Sequence, residues 1–266
     1  MVVEILVLKT RRNCIVSVLN KIKKGRENLP PRLMIYGGEG IGKSTFAAGS
    51  PSPVFIQTED GLGSMDVARF DLAGKYTEVI ENLRGLRDED HEFQTVVIDS
   101  VDWLERLIHD HVVQQDGATS IELACGGYGR GYRKALDHFR DVLAALDQLR
   151  AKGMAVILVA HAKTERFEDP EHPAYDRYSP RLHKEANALL CEWVDAVLFA
   201  TRRTATRTSD EKAGKRVLAT SVGKDGAERV LRVNGSPACL AKNRFGLSGE
   251  LPLSWDAFFN AINGER

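Results

Sequence analysis

The sequence predicts an α/β protein built on a mostly parallel sheet flanked by helices, with a β-hairpin extension near the C-terminus. Short continuous apolar strands alternate with helical segments, a pattern typical of a parallel sheet covered on both faces. A glycine-rich loop stands between the first of these strands, at 33–36, and a helix at 44–48. Two β-type runs flank the basic and polar segment 202–216, which predicts the hairpin.

The glycine-rich loop matches the phosphate-binding pattern G-x-x-x-x-G-K-S/T at every fixed position. Glycines let backbone N–H groups turn toward an anion with no Cβ in the way. The lysine can reach the outer phosphates, and the hydroxyl that follows it can bind Mg²⁺. We therefore predict a nucleotide site that takes ATP and Mg²⁺. It comprises Gly37, Gly38, Glu39, Gly40, Ile41, Gly42, Lys43, Ser44 and Thr45.

The remaining elements follow from apolar runs and their spacing. Further strands are predicted from residue 53 and at 95–100, 155–160, 196–200 and 230–233. Further helices are predicted at 77–87, 101–113, 184–193 and 255–262, with a long helix whose apolar stripe runs from Leu136 to Leu149. The glycine-rich segment 116–131 and the polar, proline-containing segment 163–183 are predicted to be loops.

Polar side chains follow three of the predicted strands. Because the carboxyl ends of parallel strands meet at one edge of a sheet, we expect these side chains to lie near the phosphate loop. Asp99 is predicted to hold Mg²⁺ together with Ser44, although an aspartate there could instead cap the next helix. Glu59 is the candidate general base that orients the attacking water, with Asp60 as its competitor.

His161 ends another predicted apolar strand and leaves two interpretations open. A polar side chain at this edge can sense the terminal phosphate and pass the signal to the segment that follows. Alternatively, it is a histidine whose hydrogen bonds are satisfied at a strand end.

Basic residues mixed with aromatic ones predict a single-stranded DNA interface in both loop segments, since charges bind phosphates and rings stack on bases. The candidate residues are Arg130, Arg133, Lys163, Arg166, Arg177 and Arg181. Acidic residues are interspersed in 163–183, so a solvated loop of mixed charge is the alternative.

The order of these parts resembles the RecA/RadA recombinase ATPase core. More closely, the chain resembles the phage and prophage P-loop NTPases with a RecA-like core that are linked to single-strand annealing and recombination. The stretches that carry this likeness are F-I-Q-T-E-D-G-L, V-V-I-D-S, G-Y-G-R-G-Y, A-H-A-K, Y-D-R-Y, L-H-K, W-V-D-A-V-L-F-A and K-N-R-F-G-L. The likeness runs from about residue 32 to the C-terminus.

The resemblance implies specific roles. Glu59 falls at the position of the catalytic glutamate, and His161 falls where RecA has a glutamine that couples the nucleotide to DNA. Lys242 and Arg244 fall in a basic pair that reaches the neighbouring subunit's nucleotide. The resemblance also implies self-association in a ring or filament, single-stranded DNA as a partner, and a single-strand DNA-binding protein as a further one.

The predicted organisation is an N-terminal arm at 1–31, an ATPase core at 32–201 and a C-terminal β extension at 202–266. The arm is either an edge strand or a segment that packs on a neighbouring subunit.

The formal net charge of the chain is zero, so its overall charge does not point to nucleic acid. Four separated cysteines, no signal-peptide pattern and no membrane span predict a cytoplasmic protein, in the bacterial host if phage-encoded.

The predicted function is a Mg²⁺-dependent ATPase that binds single-stranded DNA and promotes annealing or recombination. Two alternatives from other classes stay open. One is an AAA+-type helicase loader or remodelling ATPase that acts on a protein partner. The other is an annealing protein that uses ATP only as a regulatory ligand.

Overall fold

The structure is a computed structural model that describes residues 22, 24–25, 29–171, 173–209, 216–221 and 228–264. For 204–209 and 216–221 it describes the backbone alone. The predicted arm at 1–31 therefore lies almost wholly outside the described residues, and its role stays a prediction.

The described elements alternate between strands and helices, as the sequence predicts. The strands are β1 Arg32–Gly37, β2 Pro53–Gln57, β3 Ala68–Arg69, β4 Thr95–Asp99, β5 Ala155–Phe167, β6 Tyr175–Pro180, β7 Ala196–Arg202, β8 Thr204–Ser209, β9 Arg216–Ser221, β10 Arg229–Arg232, β11 Lys242–Asn243 and β12 Glu250–Pro252. The helices are α1 Lys43–Ala48, α2 Tyr76–Asp88, α3 Val101–Asp116, α4 Arg130–Ala151, α5 Lys184–Trp193 and α6 Trp255–Asn263. A short 3₁₀ turn, Ala124–Gly126, lies in the predicted glycine-rich loop.

The main sheet is mostly parallel, which confirms the predicted fold class. Its strand order is β12-β10-β7-β1-β5-β4-β2-β3, with β6 paired to β5 and β11 to β7. Strands β1, β2, β4, β5 and β7 run parallel to one another, and β5 separates β1 from β4. The segments after β1, β2 and β4 therefore leave the sheet at one edge, which β5 passes at His161. We call this the phosphate edge and define it by the loop 37–45 with Glu59, Asp99 and His161.

Helices cover the sheet on both faces because successive strand residues point to opposite sides. Along β1, Met34 and Tyr36 pack with helices α2 to α5. On the other face, Leu33 and Ile35 pack with α1 and α6, whose Phe46 and Phe258 are fully buried. These strands are buried on both faces, which explains their continuous apolar sequence.

The C-terminal part forms more than the predicted hairpin. Strands β8 and β9 pair antiparallel, so the β-hairpin is confirmed. Beyond it, β10 pairs antiparallel with β7 and with β12, which extends the main sheet. The boundary at residue 201 stays a prediction, and the sheet is continuous across it.

The loop prediction for 163–183 is wrong over most of its length. Strand β5 continues past His161 to Phe167 and pairs antiparallel with β6, with Glu165 opposite Arg177. The mixed charges that suggested a solvated loop pair across the two strands: Arg177 contacts Glu165 at 3.2 Å and lies over the ring of Phe167. Cross-strand pairs of this kind stabilise an antiparallel ribbon.

Candidate functional site

The phosphate loop has a backbone that favours glycine at two of its positions. Gly40 and Gly42 have φ angles of 65° and 109°, a region that side chains with a Cβ rarely adopt. Gly37 is needed for a different reason, because a Cβ there would lie 2.4 Å from the carbonyl oxygen of Ala200 on β7. The sequence pattern thus corresponds to real steric demands.

Lys43 lies inside this loop and is only 6% exposed. Its Nζ donates to the carbonyl oxygens of Gly37 and Gly38 at 3.2 and 3.0 Å. Burial lowers the pKa of Lys43, and the nearby carboxylates of Asp99 and Glu59 oppose that shift. The ammonium is therefore held where it can neutralise a phosphate bound to the loop.

Ser44 and Asp99, the two predicted metal ligands, meet at the phosphate edge. The Ser44 hydroxyl donates to Asp99 Oδ2 at 2.6 Å. Asp99 is buried, and burial raises its pKa, opposed by the Ser44 hydrogen bond and by Lys43. A hydroxyl and a carboxylate are the oxygen ligands that Mg²⁺ takes beside a nucleotide, so the donor set fits this ion.

Glu59 lies beside the same group of residues, whereas its competitor Asp60 is exposed. Glu59 Oε1 is 3.8 Å from His161 Nε2. Burial raises the pKa of Glu59, and the charge of His161 opposes that shift. A carboxylate with this position and a raised pKa suits a base that orients water.

A further acid, Asp102, was not singled out in the sequence. It lies in the first turn of α3, is buried, and accepts from the backbone N and from Nδ1 of His161 at about 3.1 Å. Arg181 Nη2, at the end of the β5–β6 hairpin, donates to Asp102 Oδ2 at 2.7 Å. Burial alone would raise the pKa of Asp102, but these hydrogen bonds hold it below its ordinary value. Its spacing of three residues after Asp99 was the available signal.

A cavity of about 290 Å³ joins these groups. Its lining includes Glu39, Gly40, Gly42, Lys43, Ser44, Thr45, Glu59, Asp99, His161 and Arg229. Ile41 is instead buried against Phe46 in the core. The cavity therefore gathers the predicted loop, acids and histidine, and it adds Arg229 of β10, which sequence reasoning missed.

The predicted DNA residues of the β5–β6 hairpin make ion pairs of their own. Lys163 and Arg177 both pair with Glu165, and Arg181 pairs with Asp102. Arg166 is exposed and lies opposite Asp176 in the ribbon. Their assignment to DNA stays a prediction.

The other predicted DNA residues lie at a more open surface. Arg130 and Arg133 line a cleft of about 530 Å³ with Lys134 and Arg140, and Asp137 and Glu185 also line it. Beside this cleft, Tyr128 is 91% exposed and stands in a loop conformation with a positive φ. The surface offers cations together with an exposed aromatic ring, and the Arg130 guanidinium lies 5.9 Å from the centre of that ring.

Lys242 and Arg244 lie at the opposite edge of the sheet. Lys242 is paired with Val197 near the start of β7, whereas Gly37 of the phosphate loop is level with Ala200 near its end. Both basic side chains donate to the carbonyl oxygen of Glu192, so they share a face as predicted. From this edge they cannot contact the nucleotide of their own chain.

Comparisons with known proteins found a matching family model and a similar solved structure. The family model described as AAA domain matches residues 29–245. The crystal structure of the RadB recombinase is similar at 13% sequence identity with a TM-score of 0.43, over 86% of this chain and 90% of that one. None of the curated proteins matches the chain. In the part that the structure describes, no helix has the length and apolar character needed to cross a membrane.

Proposed function

This chain belongs to the AAA domain family, and we propose that it is a Mg²⁺-dependent ATPase that binds single-stranded DNA and promotes annealing or recombination as a ring or filament. The observation that carries the ATPase part is the 2.6 Å contact between Ser44 and Asp99. It lies in the cavity that also holds Lys43 and Glu59.

Each residue of the cavity has a role that follows from its position. The buried Lys43 neutralises phosphate charge, while the glycine backbone supplies N–H donors. Bound Mg²⁺ would supply further charge neutralisation between Ser44 and Asp99. Glu59 orients the attacking water, and catalysis is chiefly positioning and charge stabilisation.

A chain of contacts connects this cavity to the β5–β6 hairpin. His161 lies between Glu59 and Asp102, and Asp102 binds Arg181 at the end of β6. Because Asp102 holds Nδ1 of His161, the ring's Nε2 is directed to Glu59. We infer that a change at Glu59 during turnover reaches the hairpin along this route, which is the coupling role predicted for His161.

The DNA part of the proposal is supported by the surface around Tyr128. An exposed ring can stack on a base, and Arg130 and Arg133 can bind the adjacent phosphates. Self-association is supported by Lys242 and Arg244, which lie too far from their own phosphate loop and would act on a neighbour's nucleotide.

The deciding experiment measures ATPase rate with and without single-stranded DNA, together with strand annealing, for wild type and Lys43→Ala. We expect DNA-stimulated turnover in wild type and loss of tight ATP binding in Lys43→Ala, because the phosphates lose their main cation. Annealing that is unchanged in Lys43→Ala would favour ATP as a regulatory ligand. Turnover that responds to a protein partner and not to DNA would favour the loader or remodelling function.

The DNA surface is tested separately with Tyr128→Ala and with Arg130→Gln/Arg133→Gln. The charge variant should bind single strands more weakly, and its salt dependence should be flatter by about one log–log unit for each DNA phosphate that the removed arginines bind in wild type. Tyr128→Ala should weaken binding at an unchanged salt slope, since stacking releases no counterions. Equal binding of single strands by wild type and both variants would refute the assignment of this surface to DNA.

A further inference from the structure

Arg229 begins β10, the strand that pairs antiparallel with β7. In the register of that pair, Leu231 is level with Ala200 and Arg229 with Arg202. Since Ala200 is in turn level with Gly37, Arg229 lies two residues beyond the start of the phosphate loop. The strand therefore carries a cation to the phosphate edge from a segment outside the predicted core.

The side chain of Arg229 points to the face of the sheet from which α1 rises. Residues two apart on a strand share a face, and Leu231 and Val233 pack in the same cluster as Phe46 of α1. Consistent with this, Nη1 of Arg229 lies 3.1 Å from the position that a Cβ on Gly42 would occupy. The guanidinium thus lies over the phosphate loop, where glycine leaves room for it.

No described carboxylate forms a salt bridge with this exposed guanidinium, in contrast to Arg181 and Arg244 at the other charged sites. Nη1 of Arg229 lies beside the N–H-rich loop, and a Cβ on Gly42 would also meet the side chain of Leu253, at 3.5 Å. An arginine held against an anion-binding loop with no acidic partner is well placed to bind a phosphate bidentately.

The position of Arg229 within the sheet indicates which phosphates it binds. Strand β1 is central, and β5, β4 and β2, which carry His161, Asp99 and Glu59, lie on one side of it. Arg229 lies on the other side, beyond β7. If Glu59 orients water at the terminal phosphate, the opposite flank of the cavity receives the inner phosphates.

We propose that Arg229 binds the α- and β-phosphates of the nucleotide held by the phosphate loop of its own chain. The proposal rests on the proposed function, because it takes the terminal phosphate to face Glu59. It predicts a residue whose loss weakens nucleotide binding, including the binding of ADP, which lacks the terminal phosphate.

The test compares wild type, Arg229→Gln and Arg229→Lys, with Arg232→Gln as the matched control. Arg232 is on the same strand but on the opposite face, paired with Glu250. Fluorescence titration gives the affinity for ADP, a non-hydrolysable ATP analogue and inorganic triphosphate, and steady-state kinetics gives kcat and KM. Circular dichroism confirms that the variants are folded.

We expect Arg229→Gln to weaken all three ligands by about the same factor, roughly ten- to a hundredfold, as for a lost charge-assisted hydrogen bond. The affinities of Arg229→Lys should fall between those of wild type and Arg229→Gln, and Arg232→Gln should match wild type.

Three results would overturn the inference and leave the proposed function standing. Unchanged ADP affinity with a lower kcat would place Arg229 at the terminal phosphate. Weaker binding of ADP with unchanged binding of inorganic triphosphate would place Arg229 at the nucleoside. Unchanged affinity for every ligand would remove it from the site. Wild-type protein that binds none of the three would refute the proposed function, and this inference with it.

Discussion

Two buried aspartates at opposite edges of the sheet have opposite charge surroundings. Asp195, just before β7, accepts from the guanidinium groups of Arg32, Arg150 and Arg244 at 3.0 to 3.3 Å and also from the backbone N of Arg32. Asp99, at the end of β4, accepts from the neutral hydroxyl of Ser44. Burial acts to raise the pKa of both carboxyl groups. At Asp195 the arginine donors outweigh burial and the pKa is lowered, whereas at Asp99 burial prevails and the pKa is raised.

This difference separates a structural cluster from a functional one. At Asp195 each oxygen has cationic donors, so the cluster is complete within the chain and ties β1, α4 and β7 together. At the phosphate edge, no described cation forms a salt bridge with Asp99, and burial raises the pKa of both Asp99 and Glu59. A buried carboxylate without such a pair costs stability, and bound Mg²⁺ would supply the balancing charge.

The largest expected effect on stability comes from breaking the complete cluster. Asp195→Asn leaves three arginines without their shared carboxylate, so we expect a loss on the order of 3 kcal/mol in unfolding free energy. Urea unfolding measures it. Because the pKa of Asp195 is lowered in the fold, its contribution is present near neutral pH and declines as the pH falls below about 4. A loss under about 1 kcal/mol would show that the cluster is not structural.

The next effect is a pH dependence at Glu105, which lies one turn beyond Asp102 on α3. Burial raises its pKa to about 7, opposed by the backbone N–H of His183. Because the pKa of Glu105 is higher in the folded state, its contribution to stability is full below about pH 4.5 and is lost as the pH rises toward 7. Glu105→Gln should therefore gain on the order of 2 kcal/mol over wild type at about pH 8 and little at about pH 4.

Glu122→Gln is the control for that experiment. Glu122 is exposed, and the hydroxyl of Tyr132 lowers its pKa to about 2. Because Glu122 stays ionised between about pH 5 and pH 8, its replacement should leave the pH dependence of stability in that range unchanged. If the stability of Glu105→Gln changes with pH in the same way as that of wild type, the raised pKa of the buried Glu105 carboxyl is contradicted.

A smaller stability effect with a large functional one is expected for Asp99→Asn. Replacing a buried carboxylate whose pKa is raised by burial should increase the unfolding free energy without Mg²⁺ by about 1 kcal/mol at neutral pH. Because the pKa of Asp99 is raised, this gain should vanish as the pH falls and wild type protonates. ATP hydrolysis should be lost. Thermal unfolding and turnover, each measured with and without Mg²⁺, test both parts. If Asp99→Asn destabilises the protein as much as Asp195→Asn does, the inferred difference between the two aspartates is wrong.

The smallest stability effect is expected at the exposed end of the complete cluster. The Arg244 side chain is 53% exposed, so Lys242→Ala/Arg244→Ala should cost less than about 1 kcal/mol. If the pair acts on a neighbour's nucleotide, this protein binds ATP normally but hydrolyses it poorly. Mixed with Lys43→Ala, it should regain part of the activity at hybrid interfaces. No recovery at any mixing ratio of co-assembled variants would refute action between subunits.

Much of the fold followed from local patterns. The continuous apolar strands that become β1, β4 and the start of β5 are recognisable because both of their faces are buried. The β5–β6 ribbon was missed because its stability comes from pairs such as Glu165 with Arg177, and charged residues of both signs look alike in a loop and in a ribbon. The short strand β12 was not predicted, because it forms by pairing with β10 and its own sequence gives no strand pattern.

The sequence by itself determined the phosphate loop, the identity of Lys43 and Ser44, and the acids at strand ends, since consecutive residues and strand direction are sufficient for these. Only the tertiary structure decided which distant charges meet. Arg181 reaches Asp102 across 79 positions, Asp195 gathers arginines from separate elements, and Arg229 arrives at Gly42 on an antiparallel strand. Such contacts depend on strand order and register, and the pKa of a buried carboxyl depends in turn on those contacts.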